Sequence, residues 1–390
     1  MPGLLIVTAG ELTRDPRARR QVIFARSLGW DAFGLSGTSG DTPADLDLDA
    51  IVRVHTGGVS SALRRTSLAH RPAGPLIREL RGIYRLLRLT GTTIRLAGAG
   101  RRFDGISVVH ANDLDTLAAG WLVARRAHAR LVYDAHELYS EFDPDPPRIY
   151  RGSMRSVEGV LARRADAVVT VSDAIANELV RKLHLRCRPL VVLNCPSLAG
   201  VPPPDVRDVE PMPLRAVYQG TLGPGRELGD LLSVIASAPE VHFTLRIPGA
   251  DPNELSRATA GQRNVSVESP VAPSQVIQAL EREQVGLIFD QPVTRNGELS
   301  LPNKLFEYLA AGLAVVVSDL EALGPFVERE NVGIAAAGGP EGVAAALKNL
   351  AQDAARLASF RRNAAAASRE RFNAEFQSLG LRTAWAAGER

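Results

Sequence analysis

Short apolar runs alternate along the chain with longer stretches whose apolar residues recur at helical spacing. In the first half the runs are Leu4–Val7, Ile51–His55, Ile106–Val109, Leu131–Tyr133, Ala167–Val171 and Leu190–Leu193. In the second they are Leu214–Tyr218, Phe243–Ile247, Val265–Val267, Val285–Phe289 and Ala314–Val317. Unbroken runs of this kind suit strands covered on both faces, as in a parallel sheet. Between them, Val22, Phe24, Ala25 and Leu28 predict a helix ending at Gly29. Further helices are expected over Leu76–Leu89, Leu117–Ala127, Ser153–Arg164, Asp173–Lys182, Ser274–Arg282, Pro340–Asp353 and Ala355–Arg371. Another follows a loop at Gly297, opens at Pro302 and closes at Gly312. Strand, loop and helix in steady succession predict a doubly wound α/β architecture. Ligands of such sheets lie beyond the carboxyl ends of the strands, so Gly10–Arg20 should line a crevice.

Composition adds a boundary. Pro202–Pro213 holds five prolines in twelve residues, which reads as a linker, and 390 residues suffice for a core on each side of it. No apolar run approaches the ~18 residues of a membrane span. Met1–Val7 has no basic leader and reads as a first core strand in a cytoplasmic protein. Cys187 and Cys195 are too few for a metal site of their own and are expected to be reduced and structural.

Charge is uneven. The formal net charge is +3, yet Arg53 to Arg102 contains eleven arginines against Glu79 alone, which points to an anionic partner. Within it, Leu76, Ile77, Leu80, Ile83, Tyr84 and Leu87 interleave with Arg78, Arg81, Arg85 and Arg88 as a basic amphipathic helix. Two readings fit: a helix covering the sheet with its arginines in solvent, or one docked on an anionic membrane face. With Tyr84 the only aromatic there, a nucleic-acid partner is not expected.

Candidate chemistry gathers at the strand ends. His110-Ala111-Asn112-Asp113 follows one run, and Asp134-Ala135-His136-Glu137 follows the next. Two adjacent strands ending in histidine and carboxylate bring titratable groups into one crevice. Asp113 or Asp115 also suits a plain helix cap. In the other half, Gln219–Arg226 is glycine-rich but fits neither a Walker loop nor a dinucleotide fingerprint. Lys304 stands in a first helical turn, where the dipole already disfavours a cation. A phosphate or diphosphate bound there would resolve the conflict. Glu307, one turn on, is placed to accept from sugar hydroxyls; the bland alternative is a Lys304–Glu307 surface pair.

Residues Pro302–Gly312 with their valine strand, His110–Asp113 and Tyr133–Leu138 together resemble family 4 glycosyltransferases of GT-B architecture. The likeness covers essentially the whole chain, and Asp15-Pro16-Arg17 is a variant of the family's first loop. It implies two doubly wound Rossmann-like domains facing a central cleft. Residues 1–200, joined by a crossover segment 372–390, would bind the acceptor; residues 201–371 would bind the nucleotide sugar. Phe372, Phe376, Leu379, Leu381 and Trp385 would anchor the crossover.

By the same resemblance Glu307 is the ribose-binding glutamate, Arg226 matches a diphosphate-binding lysine, and Val271 lies where the base is read. Ser300, beside Leu299, adjoins the place of a first glutamate, eight residues before Glu307; Leu299 itself departs from the pattern. Thr221 likewise replaces an arginine. His110, Asp113 and His136 are the catalytic candidates, with Gly10, Arg17 and Glu137 on the acceptor side. The implied reaction is retaining transfer of a hexose from a UDP-sugar to an acceptor hydroxyl, with no metal and no cofactor. The acceptor is a small molecule, glycan or lipid-linked group, and the setting is cytoplasmic or peripheral at the inner membrane face. The rival readings are a sugar-nucleotide 2-epimerase of the same architecture and a non-catalytic two-domain ligand-binding protein.

Overall fold

The apolar runs pair as parallel strands in two separate sheets. A computed structural model of the chain describes residues 1–37, 46–55, 74–141, 143, 145–206, 213–223, 225–291 and 293–386. Outside these lie residues 207–212 of the linker, Arg64, Arg65 and Arg71 of the arginine-rich segment, Pro224 and residues 387–390. The chain divides into one unit of Met1–Val192 with Ser378–Arg390 and a second of Leu193–Gln377.

In the first unit, β1 (Gly3–Thr8), α1 (Pro16–Ser27), β2 (Asp31–Ser36), β3 (Ala50–Arg53), α2 (Pro75–Ala99), β4 (Ile106–Asn112) and α3 (Leu114–Ala127) come in order. They are followed by β5 (Arg130–Ala135), α4 (Arg148–Ala162), β6 (Ala167–Thr170), α5 (Asp173–Leu183) and β7 (Leu190–Val191). The strands run parallel in the order β3-β2-β1-β4-β5-β6-β7. The order reverses between β1 and β4, so the carboxyl ends of those two strands flank the crevice. Leu4, Leu5, Ile6 and Val7 are wholly buried, as an internal strand requires.

Local chemistry sets the helix ends. Asp15 caps α1, accepting from the amides of Arg17 at 2.8 Å and Ala18 at 3.2 Å, and Pro16 takes the first position. The motif thereby points Arg17 inward. Helix α4 starts at Arg148, ahead of the expected Ser153, because Glu79 accepts from the amides of Arg148 (2.9 Å) and Ile149 (3.0 Å) and so satisfies its first turn. Helix α2 runs past the expected Leu89 to Ala99, there being no proline to stop it. It packs through Gly82, Thr92 and Leu96, while Leu76, Ile77, Leu80, Ile83, Tyr84 and Leu87 are exposed. The helix thus packs on its unit through Gly82, Thr92 and Leu96 and not through the apolar residues that periodicity singled out.

The second unit comprises β8 (Leu214–Gln219), α6 (Leu228–Ser237), β9 (Val241–Arg246), α7 (Pro252–Thr259), β10 (Val265–Val267), α8 (Val276–Leu280) and β11 (Val285–Ile288). It continues with α9 (Arg295–Leu299), α10 (Asn303–Ala310), β12 (Ala314–Ser318), α11 (Leu323–Glu330), β13 (Gly333–Ala336), α12 (Gly339–Gln352) and α13 (Ala354–Glu370). The final helix is α14 (Ala374–Trp385). The sheet is parallel in the order β10-β9-β8-β11-β12-β13, with its reversal between β8 and β11.

Strands β2 and β13 and helices α6, α7 and α11 were not among the expected elements, and further details also differ. The loop at Gly297 is part of α9, whose cap Thr294 accepts from the Gly297 amide at 3.1 Å. Pro302 sits one place earlier, at the N-cap of α10. Helix α8 is shorter than Ser274–Arg282, because a 3-10 turn over Pro273–Gln275 precedes it.

Of the residues expected to anchor the last segment, Phe372 packs on Phe306 and Phe326 in the second unit. Leu381 and Trp385 enter the core of the first unit. Phe376 and Leu379 are exposed and anchor nothing. Cys195 is buried and Cys187 exposed, and neither is in a disulfide. Among the described residues, no helix is long and apolar enough to cross a membrane.

Candidate active site

At the switch point of the first sheet, charges alternate from the interior outward. Arg17 reaches Asp134, at the end of β5, with Nε (2.8 Å) and Nη2 (2.7 Å), while its Nη1 donates to the Val192 carbonyl. The guanidinium is thus engaged inside the protein and positions Asp134. Beyond Asp134 stands His136, its Nε2 3.2 Å from the carboxylate, and its Nδ1 lies 3.3 Å from Asp113 Oδ2. The Asp134 side chain is fully buried, whereas that of Asp113 is 31% exposed, so the series ends at an accessible carboxylate.

The environment fixes the protonation of this series. Burial works against the charge on Asp134, but Arg17 and His136 outweigh it and hold the group well below the usual carboxylate range. Burial likewise opposes charge on His136, yet Asp113 and Asp134 on either side raise its pKa to about 10, so it is an imidazolium at neutral pH. His110 is the opposite case. Desolvation lowers its pKa, and its Nδ1 accepts from Trp385 Nε1 at 3.0 Å. An indole only donates, so the His110 proton resides on Nε2, 3.0 Å from Asp134 Oδ2. Gln21 completes the support, donating to Asp134 (3.0 Å) and Asn112 (2.9 Å). Both ring nitrogens of His110 face protein groups in a fully buried setting, which gives it a positioning role.

Asp113 is conformationally unusual. Its φ of 64° and ψ of 167° belong to a region used almost only by glycine, at about 1–3 kcal/mol. The amide of Asp113 donates to the Asp134 carbonyl (2.9 Å), and its carboxylate accepts from the His136 amide (3.1 Å). It occupies the N-cap position of α3 without capping it, which removes the capping alternative for this residue. Asp115, in the first turn of α3, is raised to about 7 by burial and by Asp113. Glu158, also near 7 through burial, accepts from Tyr133 Oη at 2.8 Å. Glu137 follows His136 half-buried, and Gly10 is exposed at the end of β1, its carbonyl accepting from Thr8 and Ser36.

In the second unit, Asp290 follows β11 beside the switch point. One of its oxygens, Oδ1, takes both Lys304 Nζ (3.2 Å) and Arg226 Nε (3.0 Å). Two cations thus share one carboxylate oxygen, and Glu307 also acts on Lys304. Lys304 is nearly buried, with Nζ 4.8 Å from the centre of the Tyr218 ring; burial lowers its pKa, and Asp290 opposes that shift. Arg226 is 41% exposed and is set by a tight turn in which its amide donates to Gly223 O at 2.8 Å.

Glu307 is half-buried and accepts from Gln219 Nε2 at 3.3 Å, and the Gln219 amide donates to Tyr308 Oη at 2.9 Å. Ser300 closes α9 by donating to Asn296 O, and Val271 packs against the cluster beneath α10. Leu299 is buried in the core, and the neighbouring Glu298 pairs with Arg295 at 2.6 Å.

The structure thus gathers His110, Asp113 and His136 in one unit, with Arg226 and Lys304 together on Asp290 in the other. Sequence reasoning passed over Asp290, Gln21, Asn112 and the polar role of Trp385. The position of Asp290, just past the end of a buried strand, was the available signal.

Two parallel sheets of this order, each reversing its strand order once, are the architecture of the GT-B class. A Glycosyltransferase Family 4 model matches residues 48–196, and a Glycosyl transferase-like model matches residues 226–378. The chain belongs to the family 4 glycosyltransferases, and it is a sugar-transferring enzyme.

Among solved structures, sucrose-phosphate synthase from Thermosynechococcus elongatus is similar with a TM-score of 0.73 and 15% identity, over 98% of each chain. HepE from Anabaena in complex with UDP gives 0.66 and 15%, over 98% of this chain and 99% of that one. An E. coli protein described as trehalose-6-phosphate bound with UDP-2-fluoro glucose gives 0.67 and 12%, over the whole of both chains. At such identities the likeness is one of fold. No curated protein matches the sequence.

Proposed function

We propose that the enzyme transfers a sugar from a UDP-sugar to an acceptor hydroxyl with retention of anomeric configuration. The second unit takes the donor, and the first takes the acceptor. The observation that carries this reading is the convergence of Lys304 and Arg226 on Asp290 at the end of β11, which sets two cations where a diphosphate can bind. HepE is described with UDP, which agrees with a uridine nucleotide. Charge develops on the departing diphosphate, and the main catalytic contribution is its stabilisation by Arg226, Lys304 and the first-turn amides of α10, without a metal. Glu307 holds the ribose hydroxyls, Ser300 adjoins the donor sugar, and Val271 offers main-chain groups to the base.

On the acceptor side Asp113, oriented by the His136 imidazolium, meets the hydroxyl; Gly10 and Glu137 border it. Arg17 and His110 position Asp134 and through it His136. The glycosyltransferase models that match both halves of the chain support sugar transfer over the epimerase and the non-catalytic reading.

Titration calorimetry with a panel of nucleoside diphosphates tests the donor assignment. UDP is expected to bind selectively, Glu307→Ala to weaken it at least tenfold, and Arg226→Ala to slow transfer more than it weakens binding. Unchanged UDP affinity in Glu307→Ala overturns the assignment.

A further inference from the structure

We propose that Asp290 is a built-in counter-ion of the donor site, which competes with the diphosphate for Lys304 and Arg226 and so limits how tightly the nucleotide is retained. The inference rests on the reading of the second unit as the donor site and concerns how that site releases its ligand. Asp290 Oδ1 accepts from Lys304 Nζ at 3.2 Å and lies 3.0 Å from Arg226 Nε. A single oxygen that takes two cations is placed as a phosphate oxygen would be. The backbone beneath it is fixed, since Asp290 directly follows β11 and its amide donates to Ser318 Oγ, at the end of the adjacent β12, at 3.1 Å. The side chains of Asp290 and Lys304 are 13% and 10% exposed. Water screens such charges poorly, so an anion brought to the same cations is repelled by the carboxylate.

The two cations differ in freedom. Arg226 is at the surface, and among the described residues the ion pair with Asp290 is the one polar contact of its guanidinium, which can present its donor fork to phosphate oxygens. Lys304 is held, with its Nζ over the Tyr218 ring. Burial lowers the Lys304 pKa, and Asp290 and Glu307 oppose that shift. Asp290 thus helps to keep Lys304 charged until a diphosphate takes over that role. If Asp290 is made neutral, Glu307 still acts on Lys304 and the bound diphosphate supplies the rest, so the cations remain and their competitor is gone. Transfer leaves added negative charge on the diphosphate, so cations alone would hold UDP more tightly than the donor. A fixed carboxylate beside them offsets that gain and speeds release.

The test is calorimetry on the purified full chain with inorganic pyrophosphate, UDP and uridine, comparing the parent with Asp290→Asn and Asp290→Ser. Both variants are expected to bind pyrophosphate and UDP roughly tenfold or more tightly than the parent, because a like charge next to a bound anion is costly. In stopped-flow displacement, UDP should leave the variants correspondingly more slowly. Uridine carries no phosphate, and its affinity should be the same in all three proteins. If Asp290 only holds Lys304 and Arg226 in place, the variants bind pyrophosphate more weakly. Equal or weaker pyrophosphate binding by the variants therefore overturns the proposal, as does an equal gain on uridine. Pyrophosphate has neither base nor ribose, so its outcome is separable from the donor assignment. A gain on pyrophosphate without selection of UDP over other nucleoside diphosphates supports the counter-ion and removes the UDP assignment; selection of UDP with no gain in the variants does the reverse.

Discussion

Trp385 Nε1 donates to His110 Nδ1 at 3.0 Å, across 275 positions of sequence. That bond selects the His110 tautomer whose other nitrogen serves Asp134. Trp385→Phe keeps most of the packing on Phe24 and Trp30 but leaves a buried imidazole nitrogen unpaired. The expected cost is about 1–3 kcal/mol, read as a lower unfolding midpoint. Nitrogen NMR of His110 should show the proton distributed over both ring positions. Retention of a single tautomer would show that Asp134 alone selects it.

His136 should make stability fall in alkaline solution. Its folded pKa of about 10 lies above the ordinary histidine value, so its contribution is complete below about pH 6.5 and is lost as pH rises toward 10. The slope contributed by one proton is at most about 1.4 kcal/mol per pH unit. His136→Gln should flatten that part of the curve in urea titrations between pH 6 and 10. An unchanged slope would place the charge elsewhere.

Asp115 carries the opposite interest. Its folded pKa near 7 exceeds the ordinary carboxyl value, so the fold prefers the neutral acid. Ionisation therefore destabilises progressively from about pH 4 to 7 and fully above. Asp115→Asn should match the parent at pH 4 and be more stable at pH 8, by on the order of a few kcal/mol at most. Equal stability at pH 8 would mean that the carboxylate is better solvated than its position suggests.

Gly286 and Tyr308 share one space. A Cβ on Gly286 would lie 2.2 Å from the Tyr308 ring, whose hydroxyl receives the Gln219 amide. Gly286→Ala should displace the ring, at about 1–3 kcal/mol. Because Glu307 is the next residue, UDP affinity should fall together with stability. A calorimetric affinity equal to the parent's would separate the two.

The fold was legible because buried parallel strands leave unbroken apolar runs and the linker leaves prolines. The conflict at Lys304 was legible too, since a cation in a first helical turn is anomalous whatever surrounds it. Asp290 was not, because its meaning depends on β11 lying next to β8, which strand order determines and spacing does not. Periodicity showed that α2 has two faces but carried no information on which one points outward. Gly82 decides that, by letting only one side approach α4. At Leu299 the departure from the family pattern is physical: the side chain fills the core, and the adjacent carboxylate is committed to Arg295.

The first unit is discontinuous in sequence, closing with Ser378–Arg390. During synthesis, β1 to β7 therefore emerge well before Leu381, Ala384 and Trp385, which complete their core. Until the whole second unit has followed, Phe24 and Trp30 lack their aromatic neighbour and His110 lacks its donor. The early-made half must wait, partly unfinished, on the late-made helix, and premature release from the ribosome would leave an open core of the kind that chaperones bind.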